Sequence, residues 1–429
     1  MPSTFFNRLK HLLRIQLVSL HRHGSVHMHK LHPDSESFKL PSAVREFCDV
    51  ARRIVREELI PLEQEFMASP EQAYGQPEIM MIRRVFPGAV ADRLEKVSRD
   101  TGLWYMMVPE EYGGPGLSML AQVAVMEQLM YTPVPLPMAS VGNILYECKG
   151  DQIERFLKPV IEGTKTTAFG QTEPNAGSDP GGMMQTRAVR KNGGWVINGT
   201  KMWISNADDC DFVMLQAVTD AEKRQRGGIT MFLVDRKNLG MKVRTPGIPT
   251  WLGSTPKQHI VDFEDCEVPD EDVLGEVGNG FALGQQWLTI HDRLLRGPYA
   301  LGKMQRALDM SVDWAKQRVT FGKPLSDRQA VQWHLVDMYV DVQALRALTY
   351  EIAGRADCGE DVRTEAALVK LCAGEWGARC IDHAIQVHGA MGETLELPLT
   401  MFYRYLRHAQ IGGGANEIQK MLIARKLLR

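Results

Sequence analysis

The amino-acid sequence predicts an α+β protein with an N-terminal α-helical domain, a small β-barrel or sandwich domain in the middle, and an antiparallel helical bundle at the C-terminus. Apolar residues recur at helical spacing before residue 165 and again after residue 279. Between them, short runs of strand-forming residues are separated by glycine turns. The 429 residues are too many for a single core and suit two or three domains.

The N-terminal segment 1–34 is set apart from the predicted fold. Its first thirty residues carry basic side chains and histidines but no acidic residue. This composition resembles a mitochondrial transit peptide, and a disordered leader would have the same composition. We therefore expect a disordered or targeting segment here, in a protein that is cytoplasmic if bacterial and otherwise located in the mitochondrial matrix.

Charge and cysteine content argue against several classes of function. The net charge of −2 gives no reason to expect a nucleic-acid partner. The seven cysteines form no CxxC pair and no metal-ligand spacing, so we expect buried thiols in a reducing compartment and no metal site. No apolar run reaches membrane-spanning length, so no integral membrane segment is predicted.

Residues 35–165 are predicted to form the N-terminal helical domain. Val44, Phe47, Ala51 and Ile54 recur at roughly helical spacing, which indicates an amphipathic helix. A second helix, apolar and rich in methionine, is expected near residues 119–130. By composition alone this second helix belongs to the core.

Residues 166–278 are predicted to form the β domain. Its runs of β-branched and aromatic residues are short and alternate with glycine turns, a pattern typical of small barrels and sandwiches. A turn at Asn198-Gly199 is expected to separate the first two strands. The predicted strands are Trp195–Ile197, Met202–Ile204, Phe212–Leu215, Ile229–Val234 and His259–Phe263.

Residues 279–429 are predicted to form a four-helix bundle. Helical spacing returns at about residue 280 and continues to the end of the chain. Long apolar stripes interrupted by glycine or proline are typical of antiparallel bundles. One stripe contains Val331, Leu335, Met338, Val342, Leu345 and Ile352, and another contains Leu368, Leu371, Ala378, Ile381 and Ile385.

The segments Phe169–Asp179 and Trp203–Asn206 have the groups that a flavin site needs. In the first segment, proline and glycine break regular structure beside hydroxyl and amide side chains and free backbone N–H groups. Such a loop can bind the edge of a heterocycle or a phosphate. The second segment places the aromatic face of Trp203 beside the hydroxyl of Ser205. A flavin needs both kinds of group, although a surface turn and a core tryptophan would give the same pattern.

These segments resemble the signature of the acyl-CoA dehydrogenases. Thr172-Glu-Pro-Asn-Ala-Gly-Ser-Asp179 is followed by Asn198-Gly-Thr-Lys201 and by Trp203-Ile-Ser-Asn206, in the order found in that family. The resemblance extends from about residue 40 to the C-terminus. It implies the acyl-CoA dehydrogenase fold and an FAD enzyme of fatty acid metabolism. Such enzymes desaturate acyl-CoA thioesters by α-proton abstraction and β-hydride transfer to flavin N5.

The resemblance also implies which residues bind FAD. Thr172 and Ser205 are expected to donate to the pyrimidine edge and N5 of the flavin, and Gln171 to contribute mainly backbone groups. Arg318 opens an Arg-x-x-Phe-Gly motif whose arginine reaches the FAD pyrophosphate of a neighbouring subunit. A homo-oligomer, either a dimer or a tetramer, is therefore expected. The implied set is Phe169, Gln171, Thr172, Ser178, Trp203, Ile204, Ser205, Arg318, Phe321, Gln329, Gln386, Gly389, Ala390, Gly414 and Asn416.

The catalytic base is where this sequence departs from part of the family. In the medium-chain branch the base is a glutamate, and its place is taken here by Gly413, which cannot accept a proton. In the isovaleryl and long-chain branches the base is a glutamate directly before an arginine, which corresponds here to Asp292 and Arg293. Because desaturation needs a carboxylate aimed at the α carbon, Asp292 is the predicted base. Alignment from the N-terminal side instead would put His291 at this position.

Arg296 occupies a position where relatives usually carry a small or apolar pocket residue. It follows Asp292 by four residues, so the two side chains can pair along a helix. One interpretation is a salt bridge that orients the carboxylate, and the other is an arginine that meets a polar or anionic acyl tail. The predicted substrate-binding residues are Ser178, Asp292, Arg293, Arg296 and Gly414.

The resemblance favours an acyl-CoA dehydrogenase that passes electrons to electron-transfer flavoprotein. Three alternatives stay open: an acyl-CoA oxidase of the same fold, a non-oxidative enzyme acting on a 4-hydroxy or 4-phospho acyl-CoA, and an inactive scaffold. Oxygen consumption without an added acceptor would identify the oxidase. Reduction of bound FAD by an acyl-CoA would exclude the scaffold.

Overall fold

The computed structural model describes residues 40–69, 79–86, 88–252 and 257–429, so the segment predicted as a leader lies outside the described residues. Helices come first and last along the chain, with the sheet between them. The helices are α1 (Ser42–Ile54), α2 (Glu63–Ala68), α3 (Ile79–Val85), α4 (Gly88–Asp100), α5 (Met119–Leu129), α6 (Lys158–Glu162), α7 (Pro180–Met183), α8 (Gly280–Trp287), α9 (Arg296–Gln317), α10 (Gln329–Asp357), α11 (Arg363–His388), α12 (Leu399–His408) and α13 (Asn416–Leu427).

The apolar stripe predicted near the N-terminus forms α1. Val44, Phe47, Ala51 and Ile54 are buried along one face of this helix, because residues three and four apart lie on the same side. α1 packs against α5, which is buried over most of its surface and also contacts the C-terminal helices α9 and α10. The prediction of a helical N-terminal region is confirmed.

A buried polar cluster joins α5 to the bundle. The Glu127 carboxylate accepts hydrogen bonds from Arg346 Nε at 2.9 Å and Arg346 Nη2 at 2.8 Å, and its second oxygen accepts from Tyr350 Oη at 2.8 Å. The Glu127 and Arg346 side chains are 2% and 0% exposed. Because each charge is matched within the cluster, burial does not leave an unpaired ion.

The strands are β1 (Thr167–Gly170), β2 (Arg187–Lys191), β3 (Gly194–Ser205), β4 (Phe212–Val218), β5 (Ile229–Asp235), β6 (Met241–Ile248), β7 (Gln258–Pro269), β8 (Val273–Leu274), β9 (Val319–Thr320) and β10 (Lys323–Pro324). They form one mixed sheet in the order β6-β7-β3-β2-β4-β5-β8, with β1 parallel to β4, and a separate two-stranded hairpin of β9 and β10. The apolar side of the main sheet forms its own core, which includes Trp195, Ile197 and Phe232.

The turn predicted at Asn198-Gly199 is wrong. β3 runs without a break through these residues, and Asn198 pairs with Arg187 of β2. The hairpin turn lies instead at Asn192-Gly193, where both residues have positive φ. Gly199 serves a different purpose, since a Cβ there would lie 2.4 Å from Thr186 Oγ1. The glycine permits close approach of the two chain segments.

The C-terminal region is a bundle built on α9, α10 and α11, with α12 and α13 packed against α11. Met338, Val342, Leu345 and Ile352 are buried on α10, as the predicted stripe requires. A π-helical segment, Leu288–Leu294, joins α8 to α9. In the part of the chain that the structure describes, no helix combines the length and apolarity needed to cross a bilayer.

Candidate active site

Asp292, the predicted base, lies in the π-helical segment directly before α9. The wider turn of a π-helix shifts side chains out of the regular helical register, and such segments recur at functional sites. The Asp292 side chain is 19% exposed. It is therefore sheltered but still accessible to a bound molecule.

The loop 411–414 packs directly against Asp292. A Cβ built on Gly413 would lie 2.7 Å from the Cβ and 3.0 Å from the Cγ of Asp292. Gly413 has a φ of +68°, a conformation that glycine adopts without strain. Residues 292 and 413, which the resemblance predicts as the two possible positions of the base, thus adjoin in space. The lack of a side chain at 413 leaves the room that Asp292 occupies.

Arg296 holds one oxygen of the Asp292 carboxylate. Its Nη2 donates to Asp292 Oδ1 at 2.6 Å, and its Nη1 donates to the hydroxyl of Tyr405 on α12 at 3.1 Å. The pair predicted from the four-residue spacing is therefore present. Asp292 Oδ2 has no hydrogen-bond partner among the described residues. One oxygen is fixed, and the other remains able to accept a proton.

Two buried lysines stand near this pair. Lys303 Nζ lies 4.4 Å from the centre of the Tyr405 ring and donates to the Tyr299 carbonyl at 3.1 Å. Lys370 Nζ donates to the Gly414 carbonyl at 2.6 Å, at the end of the loop that covers Asp292. Both lysines are bonded to neutral groups.

The electrostatics of the site reflect an excess of buried cations. Burial lowers the pKa of Lys303 and of Lys370 to about 7, and Arg296 adds to both shifts. Burial, followed by Arg296, lowers the pKa of His408 to about 4. Burial also acts against the charge of Arg296, but Tyr405 and Asp292 outweigh it and raise the pKa of the guanidinium.

Sequence reasoning missed Lys303, Lys370 and Tyr405. Lys303 follows Arg296 by seven residues, which is two helical turns, so the helical period could have placed both on one face. Lys370 and Tyr405 belong to α11 and α12. No spacing in the sequence connects them to α9.

The predicted flavin loop is held against β3 by its backbone. The Met202 N–H donates to the Thr172 carbonyl at 2.8 Å, and Lys201 Nζ donates to the Gln171 carbonyl at 3.0 Å. Trp203 lies at an irregularity of β3, has a φ of +63° and remains 49% exposed. A large aromatic side chain is thus presented outward beside the loop.

Other predicted flavin residues surround this face. The Gln171 side chain is buried and donates to Gln216 Oε1 at 2.8 Å, so it is engaged within the protein, and a backbone role toward a ligand stays a prediction. Phe169 packs on Trp287 with ring centres 4.3 Å apart. This contact brings the β domain against the helix that leads to Asp292. Ser178 is exposed, Ile204 is buried, and Thr172 and Ser205 are half-buried.

Six further predicted FAD residues lie at the far end of the bundle. Arg318 directly follows α9, and the stacked rings of Trp314 and His388, 5.5 Å apart, bring the ends of α9 and α11 together. Phe321 is 97% exposed. The other residues of this group are also exposed, namely Arg318, Gln329, Gln386, Gly389 and Ala390.

Arg293, Gly414 and Asn416 lie on the buried side of the site. Arg293 is 6% exposed, and its Nη2 donates to Gln285 Oε1 at 3.4 Å. Asn416 Oδ1 accepts from Lys370 at 3.1 Å. Their roles in binding remain predictions. The alternative base, His291, lies in the π-helical segment, but its side chain is outside the described part of the structure.

These residues fit FAD by their chemistry. The exposed face of Trp203 stands beside the hydroxyls of Thr172 and Ser205, and a Cβ on Gly177 in the same loop would meet nothing within 4 Å. An aromatic plane with donors along one side suits the flavin ring. The guanidinium of Arg318, exposed at the bundle end, suits a pyrophosphate.

Comparison with known proteins decides the family. Residues 42–164, 168–266 and 278–428 match the N-terminal, middle and C-terminal domains of acyl-CoA dehydrogenases. The chain belongs to the acyl-CoA dehydrogenase family. Members of this family are FAD-dependent oxidoreductases and typically tetramers, and FAD is accordingly the cofactor of this acyl-CoA dehydrogenase.

Individual relatives are similar over most of their length. The (R)-benzylsuccinyl-CoA dehydrogenase of Thauera aromatica is 34% identical over 392 residues, which is 89% of this chain and 94% of the relative. Subunit CarC of the caffeyl-CoA reductase-Etf complex of Acetobacterium woodii is 34% identical over 352 residues, 80% of this chain and 90% of the relative. The butyryl-CoA dehydrogenase structure from Megasphaera elsdenii has a TM-score of 0.78 at 30% identity and covers 91% of this chain and 100% of its own.

Proposed function

We propose that this protein desaturates an acyl-CoA thioester between its α and β carbons, with Asp292 as the base that removes the α proton. The contact between Asp292 and Gly413 carries the proposal. Relatives place their basic glutamate at one or the other of these positions, and here the aspartate stands against the glycine. A carboxylate at residue 292 can thus reach the atom that a glutamate at residue 413 would reach.

The hydrogen bonds of Asp292 suit this role. Arg296 fixes Oδ1, so the α proton passes to Oδ2. A positioned carboxylate base contributes about 10²–10⁴-fold to the rate of such a proton transfer. Thr172, Trp203 and Ser205 would hold the flavin beside the substrate. The chemistry that FAD supplies when bound is acceptance of the electron pair that leaves the β carbon.

The FAD site is proposed to draw on two copies of the chain. Trp287, which packs on the flavin loop, precedes α9, and Arg318 follows it. A helix of 22 residues is about 33 Å long. This separation supports a homo-oligomer in which the bundle end of one copy completes the FAD site of another. The variant Arg318→Ala should then lose FAD absorbance and sediment as a smaller species, and full FAD content with unchanged assembly would disprove the arrangement.

Electron-transfer flavoprotein is the proposed electron acceptor. The similar protein from Acetobacterium woodii is named as a subunit of an Etf complex. The purified enzyme, reduced by its substrate, should therefore pass electrons to electron-transfer flavoprotein faster than to oxygen. Rapid oxygen consumption without that acceptor would identify an oxidase instead.

Anaerobic flavin bleaching with a panel of acyl-CoAs tests the proposed reaction. The wild-type enzyme should bleach with at least one thioester and form an α,β-unsaturated product detectable by mass spectrometry. Asp292→Asn keeps size and hydrogen bonding but removes basicity, so flavin reduction should slow by roughly 10²-fold or more. Equal rates in Asp292→Asn and the wild type would place the base elsewhere, and a matched loss in His291→Asn alone would identify that residue.

A further inference from the structure

We propose that the acyl group of the substrate carries a second anionic group, a carboxylate or a phosphate, which binds to Arg296, Lys303 and Tyr405. The inference rests on the proposed function, because it takes Asp292 as the position of the α carbon. It deepens that function by naming the chemical class of the acyl group. Three features of the structure support it: a continuous polar surface, an excess of buried positive charge, and an adjoining cavity.

The three side chains form one continuous surface. Arg296 and Lys303 are two helical turns apart and lie on the same face of α9. Tyr405 of α12 touches both, through its hydroxyl to Arg296 Nη1 at 3.1 Å and through its ring to Lys303 Nζ at 4.4 Å. The surface begins at Asp292 and leads away from it along α9. A substrate with its α carbon at Asp292 can therefore direct its tail toward these groups.

The charges around this surface are unbalanced. Arg296, Lys303, Lys370 and Arg293 are all largely buried, and in the described part of the structure Arg296 alone among them pairs with a carboxylate, that of Asp292. Arg296 Nε is buried and has no hydrogen-bond partner among the described residues. Buried charges normally have partners of opposite sign. A ligand anion would supply the missing partner.

A small cavity adjoins the same surface. Its polar lining is Lys303, Tyr405 and Thr132, and its apolar walls include Met130 and Phe402. Apolar walls with a few convergent polar groups are typical of ligand pockets. Burial and then Arg296 keep the pKa of Lys303 near 7, so an arriving anion would favour its charged form.

The position of Arg296 limits the length of the acyl chain. It follows Asp292 by four residues, and its Nη2 lies 2.6 Å from Asp292 Oδ1. A short chain therefore brings a terminal carboxylate, or a phosphate ester on the γ carbon, to the guanidinium. Suitable probes are glutaryl-CoA and adipyl-CoA, with the neutral pentanoyl-CoA and hexanoyl-CoA as their length-matched partners. A γ-phospho-pentanoyl-CoA and its γ-hydroxy form make the pair for phosphate.

The experiment compares each anionic probe with its neutral partner in the FAD-loaded enzyme. The readouts are kcat/KM and, in the Asp292→Asn background, Kd by calorimetry. A charge-assisted contact is worth roughly tenfold to 10²-fold in affinity, so the anionic member of at least one pair should be preferred by that factor. The preferred pair distinguishes carboxylate from phosphate.

Two variants and a control separate this inference from a purely orienting role of Arg296. Arg296→Leu should lower the preference for the anionic probe over its neutral partner by about 10²-fold. Lys303→Met should lower the same preference by about tenfold. Lys420→Met removes an exposed cation on α13 that pairs with Glu375 of α11. This variant should leave the preference for the anionic probe unchanged. A defect in Asp292 orientation would slow both members of a pair equally and would not alter their Kd ratio.

The outcomes also separate the inference from the proposed function. If the wild-type enzyme reduces its flavin with neutral acyl-CoAs and shows no preference for the anionic probes, the inference is overturned and the proposed function stands. The inference is likewise overturned if Arg296→Leu lowers kcat/KM equally for the anionic and the neutral probe and leaves the ratio of their Kd values unchanged. If no thioester reduces the flavin, the proposed function fails, and the calorimetric ratios still decide whether the anion is recognised.

Discussion

Two carboxylate–cation pairs inside this protein differ in how many of their carboxylate oxygens accept hydrogen bonds. In the β domain, Glu173 is 4% exposed and pairs with Lys201 at 2.9 Å. Its Oε1 also accepts from the Thr186 N–H at 2.9 Å, and its Oε2 accepts from the Gln185 N–H at 2.6 Å. Both oxygens are occupied, as expected of a pair that holds a loop and a strand together.

The second pair, Asp292 and Arg296 at the start of α9, uses only one of the two carboxylate oxygens. Asp292 and Arg296 are 19% and 14% exposed, and their hydrogen bond uses Oδ1 alone. Burial opposes ionisation of Glu173, but Lys201 and the N–H donors outweigh it and lower the pKa of that carboxyl. The number of occupied carboxylate oxygens thus distinguishes the two kinds of buried ion pair. A saturated carboxylate stabilises the fold, whereas one with an unoccupied oxygen can take part in proton transfer.

The largest expected effect comes from breaking the saturated pair. Glu173→Gln would leave the fully buried Lys201 without its counter-ion, which should destabilise the protein by about 3–5 kcal/mol. Asp292→Asn should cost about 1 kcal/mol or less, because Asp292 and Arg296 are partly exposed and Arg296 keeps its hydrogen bond to Tyr405. Urea denaturation of both variants gives the two free energies of unfolding. A larger loss in Asp292→Asn than in Glu173→Gln would reverse the assignment of the two pairs.

The next largest effect is expected at Gly413, the glycine that leaves room for Asp292. In Gly413→Ala the new Cβ would meet Asp292 at 2.7 Å, at a residue with positive φ. We expect a loss of about 2–4 kcal/mol in the free energy of unfolding from overpacking and backbone strain. Displacement of the carboxylate should also slow flavin reduction, by up to about 10²-fold.

Gly354→Ala is the matched control for this change, since a Cβ there would meet nothing within 4 Å. It should unfold no more easily than the wild type and should reduce its flavin at the wild-type rate. Wild-type kinetics in Gly413→Ala would show that Asp292 does not depend on the close approach of the loop 411–414.

A smaller, pH-dependent effect distinguishes the lysines of the two regions. The pKa of Lys303 is lowered to about 7 and that of Lys201 to about 8, in both cases chiefly by burial, with Glu173 opposing the shift at Lys201. Unfolded lysines titrate near 10.4. Above the folded pKa the unfolded chain binds the additional proton, so these groups make stability rise with pH, from about 7 for Lys303 and from about 8 for Lys201.

Lys303→Met should remove part of this rise. Between pH 7 and pH 9, its free energy of unfolding should gain less than that of the wild type, by at most about 1.4 kcal/mol per pH unit. Urea denaturation at the two pH values gives the comparison. An identical pH dependence in the two proteins would mean that Lys303 keeps its proton, and hence a partner, in the folded state.

The smallest effect is expected outside both regions. Lys420 and Glu375 form an exposed pair at 2.8 Å, with side chains 58% and 40% exposed. Exposed pairs contribute little, because water screens the attraction and two mobile side chains must be ordered. Lys420→Met should therefore change neither the free energy of unfolding nor flavin reduction measurably, and a clear loss of either would contradict the distinction between buried and exposed pairs.

Local patterns predicted much of the fold. The α1 stripe from Val44 to Ile54 and the α10 stripe from Met338 to Ile352 are buried as their spacing predicts, because helical periodicity is a property of the chain itself. The turn at Asn198-Gly199 was predicted wrongly for the same reason. An Asn-Gly pair favours a hairpin locally, but β3 pairs with β2 and β7 across these residues, and the pairing prevails.

The candidate site was only partly accessible from the sequence. The four-residue spacing of Asp292 and Arg296 predicted their pair, which is a contact within one helix face. The sequence comparison also showed that residue 413 lacks a carboxylate. It could not show that Gly413 lies against Asp292, since the two are separated by most of the bundle.

Residue patterns at short spacings predicted the order of helices and strands. The resemblance to known proteins, which is also read from the sequence, implied the family, the cofactor and the residue expected to act as base. The surroundings of that base depend on the tertiary structure. Through helix packing across long stretches of chain, Lys370 from α11 reaches the Gly414 carbonyl beside Asp292, and Tyr405 from α12 reaches Arg296. Burial, and with it the pKa of each lysine, depends on all the atoms that exclude water from a site, and no local pattern of residues carries that information.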